Sequence, residues 1–128
     1  MKGSYIILIG LDSNKKIKIG KLGKINFRKG RYAYVGSALN SLEGRISRHL
    51  RKEKKKHWHI DYLLANAEIE KVFYIESSGR KECDIAKKFS DNEQVKGFGC
   101  SDCGCNSHLF YLDRGIDFEK IGLKEWRF

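Results

Sequence analysis

Five polar side chains, spread over most of the chain, have the types needed to cut a phosphodiester bond. They are Tyr5, Tyr34, Arg45, His49 and Glu82. The reaction needs an activated water, positive charge against the phosphate oxygens and help for the leaving oxygen. A tyrosine whose pKa is lowered by nearby cations exchanges protons with water, and the planar arginine fork matches phosphate geometry. A carboxylate holds a divalent ion, so the set predicts metal-assisted hydrolysis.

The two tyrosines are predicted to lie on strands. Residues 5–9 form a continuous apolar run, which is typical of a strand covered on both faces. Residues 32–36 follow a period of two, so Tyr32, Tyr34 and Gly36 share one face and the intervening residues share the other. We expect Tyr34 to face a cleft beside the strand of Tyr5, Gly36 to leave room for a phosphate, and Tyr32 to serve in packing.

The other three candidates are predicted to lie on helices. The Asn40-Ser41-Leu42-Glu43 pattern is typical of a capping box and begins a helix that runs to about residue 51. Arg45 and His49 lie one turn apart on it, beside the end of the tyrosine strand. A further helix over residues 80–89 places Glu82 on its apolar stripe, where a hydrophobic side chain would be expected.

The remaining patterns complete a small α+β fold. A basic hairpin is predicted over residues 15–31, a short helix over 59–67, and strands over 71–76 and 109–112, while the C-terminal segment is ambiguous. Together they predict an α/β sandwich, a small mixed or antiparallel sheet flanked by helices. The chain has 128 residues, which suits a single domain over residues 1–128.

Positive charge is concentrated in the first part of the chain. Residues 1–57 hold 16 Lys and Arg against three acids, a balance of +13. The rest of the chain has a balance of −3, which gives the net charge of +10. A polyanion partner explains this asymmetry better than a lysine-rich solvated surface does. The candidate phosphate contacts are Lys21, Lys24, Arg28, Arg48, Arg51, Lys52 and Lys55. No apolar run is long enough for a membrane span, and reduced cysteines are expected in the cytoplasm.

Two motifs of this sequence resemble those of the GIY-YIG nucleases. Gly3-Ser4-Tyr5 is similar to the first motif of that family and Tyr34-Val35-Gly36 to the second, and Arg45 follows Gly36 by nine residues. The segments GRYAYVGSAL, KKKHWHIDYLL and GFGCSDCGCNSHLFY resemble DUF123, a branch of the same superfamily. That resemblance covers nearly the whole chain and implies a GIY-YIG-like fold. Residues 10–31 replace the usual short loop, either as a substrate-binding addition or as a sign of a drifted active site.

The resemblance implies a role for each candidate residue. Tyr5 would be the general base, Tyr34 would assist proton transfer or positioning, and Arg45 would contact the scissile phosphate. His49 would support the phosphate or the tyrosine network. Glu82 would be the single protein ligand of Mg²⁺ or Mn²⁺, with Glu76 as the second choice.

A metal-dependent DNA endonuclease is the activity that the resemblance implies. DUF123 domains also occur attached to endonuclease III-like enzymes, which implies a role in DNA repair or processing and a repair protein as a partner. The alternative is a non-catalytic nucleic-acid-binding module on the same scaffold. The two alternatives differ in whether metal-dependent turnover accompanies salt-dependent binding.

Four potential zinc ligands occur within nine residues: Cys100, Cys103, Cys105 and His108. Their types fit a structural Cys₃His site, although such sites usually combine two pairs from separated segments. The other interpretation is a tight glycine-rich loop that uses small thiols as packing, and it is the one we prefer.

The segment His57-Trp58-His59-Ile60-Asp61 has two interpretations. Its histidines and aspartate have the types of metal ligands or bases, and the basic helix nearby makes a phosphate contact conceivable. We favour the simpler interpretation, in which Trp58 packs and His59 and Asp61 form a buried polar bond.

Overall fold

The computed structural model describes residues 1–79, 81–89, 91–99, 107–113 and 116–127. Within these ranges the chain forms seven strands and three α-helices. In chain order they are β1 (Gly3–Leu11), β2 (Lys15–Lys18), β3 (Lys24–Phe27), β4 (Gly30–Ala38), α1 (Leu42–Leu50), α2 (His59–Leu64), β5 (Glu68–Glu76), α3 (Glu82–Lys87), β6 (Leu109–Leu112) and β7 (Lys124–Trp126). Each helix in this part of the chain falls short of the length and apolar character that crossing a bilayer requires.

The main sheet has five strands in the order β6-β4-β1-β5-β7, and every neighbouring pair is antiparallel. Its centre is the long pairing of β1 with β4, which continues over nine residues from Gly3 opposite Ala38 to Leu11 opposite Gly30. The same register places Tyr5 opposite Gly36. The predicted α+β class, with a small sheet flanked by helices, is therefore confirmed, and the sheet is antiparallel.

The sheet has a separate hydrophobic core on each face. Tyr5 and Tyr34 belong to the first core, with residues from α1 and α2, and we call this side the tyrosine face. Ala33 and Val35 belong to the second core, with residues from α3. The face assignment predicted for residues 32–36 is therefore correct, because alternate strand residues point to opposite sides.

A two-stranded ribbon lies in the connection between β1 and β4. We use the name ribbon for β2, β3 and the 3₁₀ turn Gly20–Leu22 that joins them. On one side of the ribbon Ile17 and Phe27 are buried in the core of the tyrosine face. The other side is exposed, so the predicted hairpin with one cationic face is confirmed, although it ends at Phe27 and the last two residues of the predicted range belong to β4.

The helix boundaries differ from the predicted ones at several ends. Ser41, and not Asn40, caps α1, because its hydroxyl accepts the backbone N–H of Gly44 at 2.9 Å. Glu43 does not complete a capping box but binds the amino group of Met1 at 2.8 Å. The helices predicted over residues 59–67 and 80–89 are shorter than expected, whereas the strand predicted over 109–112 has the expected bounds.

Candidate active site and nucleic-acid interface

A cleft of about 350 Å³ opens on the tyrosine face, where β1 and β4 meet α1 and the start of α3. Four of the five predicted catalytic residues line it, namely Tyr5, Tyr34, Arg45 and Glu82. The fifth, His49, is buried behind the cleft wall and contacts both tyrosine rings. Residues from four separate elements thus converge on one place, as the sequence pattern predicted.

Tyr5 and His49 form a buried hydrogen bond of 2.8 Å between the phenol oxygen and Nε2. Burial raises the pKa of Tyr5 to about 12, although the nearby Arg45 charge opposes the change. Burial also lowers the pKa of His49 to about 3. Both groups are therefore neutral at pH 7, and at Tyr5 desolvation outweighs the lowering effect of the nearby Arg45 charge on the pKa.

The space beside Gly36 is occupied by Tyr5. A Cβ atom added at Gly36 would lie 2.5 Å from the Tyr5 hydroxyl oxygen, far inside normal contact distance. The Cβ direction of Gly36 is thus filled by Tyr5, while Gly36 itself still lines the cleft, so its room for a phosphate stays a prediction. The absence of a side chain at this position allows the Tyr5 phenol of the neighbouring strand to approach β4 closely.

Tyr34 forms part of the inner wall of the cleft. Its ring packs edge-on against His49 and Phe98, with centroid distances of 6.3 and 6.1 Å. Burial raises its pKa well above the ordinary value. Gly99 approaches the ring closely and has a φ of +73°, a conformation that favours glycine. Tyr32, two residues away, donates its hydroxyl to the Arg28 carbonyl and is a packing residue, as predicted.

Arg45 extends from α1 into the cleft and is held in two ways. Its Nη1 donates to the carbonyl oxygen of Ser37 at 3.1 Å. Its Cζ lies 4.5 Å from the ring centroid of Trp58, a cation–π contact. A guanidinium has five N–H donors, so the contact with Ser37 leaves most of them for an anion in the cleft.

A second arginine, Arg48, also contacts Trp58 and links it to Asp61. Arg48 lies 4.2 Å from the Trp58 ring centroid and makes a two-pronged ion pair with Asp61, both distances being 2.9 Å. The Asp61 carboxylate is buried, and burial alone would raise its pKa. The hydrogen bonds from Arg48 and from two backbone N–H groups outweigh burial and lower that pKa to about 2.

The predicted bond between His59 and Asp61 is wrong, because each side chain has a different partner. Asp61 binds Arg48 and caps the start of α2. His59 accepts the backbone N–H of Gly99 through Nδ1 at 2.9 Å and thereby holds that glycine against the cleft. The prediction that Trp58 packs is correct, and its partners include the arginine that lines the cleft.

Glu82 enters the cleft from the first residue of α3, and a serine pair anchors that helix. The Ser4 hydroxyl accepts the backbone N–H of Lys81 at 3.2 Å and is 2.7 Å from the Ser37 hydroxyl. The backbone carbonyl of Ser37 also accepts from Arg45. The buried Ser4 therefore connects the element that carries Glu82 with the strand that holds Arg45. Glu76, the second choice for a metal ligand, is exposed at the end of β5 and does not line the cleft.

The donor set at Glu82 fits Mg²⁺ or Mn²⁺ better than a metal caged by protein. Among the residues that the structure describes, no group of three or more His, Cys, Asp or Glu side chains is placed to hold a metal ion. Mg²⁺ commonly keeps several waters and takes one or two carboxylates together with substrate phosphates. Glu82 is the one carboxylate among the described residues that line the cleft, and Arg45 lines the same cleft, which matches that mode of binding.

The candidate zinc ligands Cys100, Cys103 and Cys105 lie outside the described residues, so that site stays a prediction. His108 is described, and it lines the cleft with Glu82. Burial lowers its pKa, although the Glu82 charge opposes the change. Its Nε2 is 3.9 Å from the sulfur of Cys83.

The predicted phosphate-binding residues fall into two groups. Arg51, Lys52 and Lys55 are exposed after α1, and Arg51 and Lys55 line a hollow that shares His57 and Trp58 with the cleft. Lys21 and Lys24 are exposed on the ribbon. The two other members are arginines that already have internal partners. Arg28 pairs with Glu93 and stacks on Tyr111, and Arg48 pairs with Asp61.

Sequence reasoning missed the positioning residues of the cleft. The role of Ser4 was hidden because a serine within an apolar strand carries no specific signal. Trp58 and Asp61 occur together in the sequence, and a buried aspartate at the start of a helix with an arginine one segment earlier is the signal that would have paired Asp61 with Arg48.

Comparison with known proteins identifies the family of the chain. No match was found among curated proteins or among solved structures. One family model, described as a domain of unknown function, matches residues 4–123 and thus includes all five predicted catalytic residues. Because this match spans most of the sequence, the chain belongs to the DUF123 family.

Proposed function

We propose that this protein is a metal-dependent endonuclease that cleaves phosphodiester bonds in DNA. The observation that carries the proposal is the convergence of Tyr5, Tyr34, Arg45 and Glu82 on one cleft, with His49 bonded to Tyr5 behind it. Residues with these types have the same roles in the GIY-YIG nucleases that the sequence resembles. Exposed Arg51 and Lys55 next to the cleft supply positive charge for the flanking phosphates.

Arg45 is proposed to bind the scissile phosphate. Its contacts with Ser37 and Trp58 hold the guanidinium before the substrate arrives, so the positive charge requires little reorganisation as negative charge develops. Glu82 is proposed to hold Mg²⁺ or Mn²⁺, which when bound would lower the pKa of a water and would stabilise the leaving oxygen. The Ser4 hydrogen bond to Lys81 fixes the position from which Glu82 extends.

Tyr5 is proposed to orient the attacking water through its hydroxyl oxygen, while His49 fixes the phenol. A role as general base requires a pKa below its resting value of about 12. Added positive charge in the cleft acts in that direction, because an opposite charge favours the phenolate. A repair or processing role, a repair protein as partner and a cytoplasmic setting are part of the same proposal.

The test is cleavage of a panel of end-labelled duplex, nicked, branched and single-stranded DNA with Mg²⁺ or Mn²⁺. We expect metal-dependent products that EDTA abolishes. Glu82→Gln should lose at least about 100-fold in rate, since it removes the proposed metal ligand. Glu76→Gln is the matched control and should keep the wild-type rate. Equal cleavage by wild type, Arg45→Ala and Glu82→Gln would refute the proposal.

A non-catalytic nucleic-acid-binding module is the second candidate. The neutral state of Tyr5 and His49 favours it, because neither group is a strong base at pH 7 in the free protein. This candidate predicts DNA binding that weakens steeply with salt and no turnover on any substrate of the panel. Measurement of binding and cleavage on the same DNA distinguishes the two.

A further inference from the structure

The outer face of the ribbon carries a group of exposed lysines. They are Lys16, Lys18, Lys21 and Lys24. On β2, Lys16 and Lys18 alternate with the buried Ile17, and on β3 Lys24 lies on the same side because it pairs with Lys18. Lys21 lies in the turn between the strands. The ribbon therefore presents positive charge from its base to its tip.

These lysines differ from the other cations around the ribbon. Lys15 bonds the carbonyl of Asn66 at 3.0 Å and lies 3.4 Å from the Asp12 carboxylate. Arg28 and Arg31 each pair with a glutamate. In contrast, within the described ranges none of the four outer lysines takes part in an ion pair. Those three cations are therefore paired within the fold, whereas the outer face keeps its positive charge.

Two of the lysines repel one another in the folded protein. Lys18 and Lys24 are directly opposite in the antiparallel register, and like charges at such positions destabilise a strand pair. A neutral residue at either position would remove that cost, while a bound anion would turn the repulsion into a shared attraction. The arrangement is suited to a polyanion.

The tip of the ribbon packs near the segment that leads to the cleft residue Gly99, and a groove begins at its base. At the tip, Leu22 approaches Gly97, which is two residues before the cleft residue Gly99, and Gly20 approaches Tyr62 of α2. At the base a groove of about 750 Å³ begins, lined by Lys16, Asn26 and the exposed Lys96 among others. Positive charge therefore continues away from the cleft.

We propose that the outer face of the ribbon binds the phosphate backbone of a duplex DNA arm leading away from the cleft. The inference rests on the proposed function for the identity of its ligand, but it concerns binding and not cleavage. Four-residue strands extend about 13 Å, along which a duplex displays about eight negative charges. Lysines contact phosphates as point charges, so the binding is independent of DNA sequence.

The test measures affinity for a 30-base-pair duplex at several salt concentrations with the full chain. Substitution of Lys16, Lys18 and Lys24 together by Gln should make the negative slope of log K against log salt shallower by about 2 to 3, because each phosphate contact contributes about 0.9. Substitution of the same three lysines by Arg should keep the wild-type slope. A thermal melt confirms that each variant folds.

The matched control removes the same charge from the opposite side of the sheet. Lys87, Lys88 and Lys120 are exposed there, near the core that contains Ile85 and Phe118. Their substitution by Gln should change the slope by less than about 1. An unchanged slope in the ribbon variant, or an equal loss in both triple variants, overturns the inference.

Further outcomes distinguish this inference from membrane binding and from the nuclease proposal. If the ribbon variant loses binding to vesicles of anionic phospholipid but keeps the DNA slope, the face binds membranes and the inference is wrong. A ribbon-dependent slope in a protein that cleaves nothing supports the inference and defeats the nuclease proposal. Metal-dependent cleavage together with a slope that does not depend on the ribbon lysines supports the nuclease proposal and defeats the inference.

Discussion

The cleft and the ribbon both use positive charge, but they hold it in different ways. In the cleft, Arg45 is bonded to Ser37 and stacked on Trp58, and the same ring is held by Arg48. On the ribbon, Lys18 and Lys24 are exposed and face each other. The arginine of the cleft is therefore held in one orientation, whereas the lysines of the ribbon stay mobile and supply only charge. The cleft is therefore suited to a single phosphate in a fixed position, and the ribbon is suited to several phosphates whose positions vary.

The largest expected difference concerns the type of cation in each region. We expect Arg45→Lys to lower the DNA cleavage rate by about 100-fold or more, because lysine lacks the planar fork and the stacking on Trp58. Single-turnover kinetics measures the change. An Arg45→Lys rate within threefold of wild type would show that the cleft, like the ribbon, needs only charge.

The next effect concerns the buried support of the cleft. Asp61→Asn should cost about 2 to 4 kcal/mol in free energy of unfolding, because it leaves the Arg48 guanidinium without its buried counter-charge. Urea denaturation measures this. Asp12→Asn is the matched change beside the ribbon, where the carboxylate is exposed, and should cost less than about 0.5 kcal/mol. Similar costs at the two positions would contradict the proposed difference in rigidity.

A pH effect should follow from the buried histidine of the cleft. The pKa of His49 is about 3 in the folded protein, below its ordinary value of 6.5, so folding favours the neutral ring. Its contribution to stability is therefore complete above pH 6.5 and is lost as the pH falls from 6.5 toward 3, with a total of a few kcal/mol. Denaturation at several pH values measures the slope.

His49→Gln should flatten the stability profile between pH 6.5 and about 4, where Asp61 still keeps its charge. His57→Gln, at an exposed position next to the same tryptophan, serves as the control and should keep the wild-type profile. If both variants keep it, the buried histidine is not the source of acid sensitivity.

The smallest expected effect is on the ribbon. Lys18→Arg keeps the charge at its position, so the DNA affinity at 0.15 M salt should change less than twofold. Fluorescence anisotropy with a labelled duplex is sensitive enough to detect such a change. A tenfold loss would mean that the ribbon, like the cleft, recognises the geometry of its cation.

Much of the fold could be predicted because its signals are local. Alternation along residues 32–36 placed Tyr34 on the correct face, and the charge pattern of residues 15–31 indicated the ribbon. The bounds of α1 were less certain because Asn40 and Ser41 are adjacent and both are good capping residues. Only the contact between Ser41 and Gly44 decides between them.

The sequence predicted which candidate residues would meet at the cleft, but not how deeply each would be buried or what it would contact. Spacing and residue type brought Tyr5, Arg45 and Glu82 to one cleft, yet the pKa of Tyr5 depends on how many atoms surround the phenol. Likewise the role of Gly36 depends on the ring that lies across it from another strand. Desolvation and cross-strand contact are properties of packing, so they follow from the tertiary structure and not from a short pattern.

The buried side of the ribbon has a consequence for how the protein opens. Ile17 and Phe27 belong to the same core as Tyr5 and Tyr34, so the ribbon cannot separate without exposing the wall of the cleft. Its backbone amides should therefore exchange with deuterium in one cooperative unit with those of β1, slowly, despite the short strands. The ribbon and the cleft would then fold, open and be degraded together.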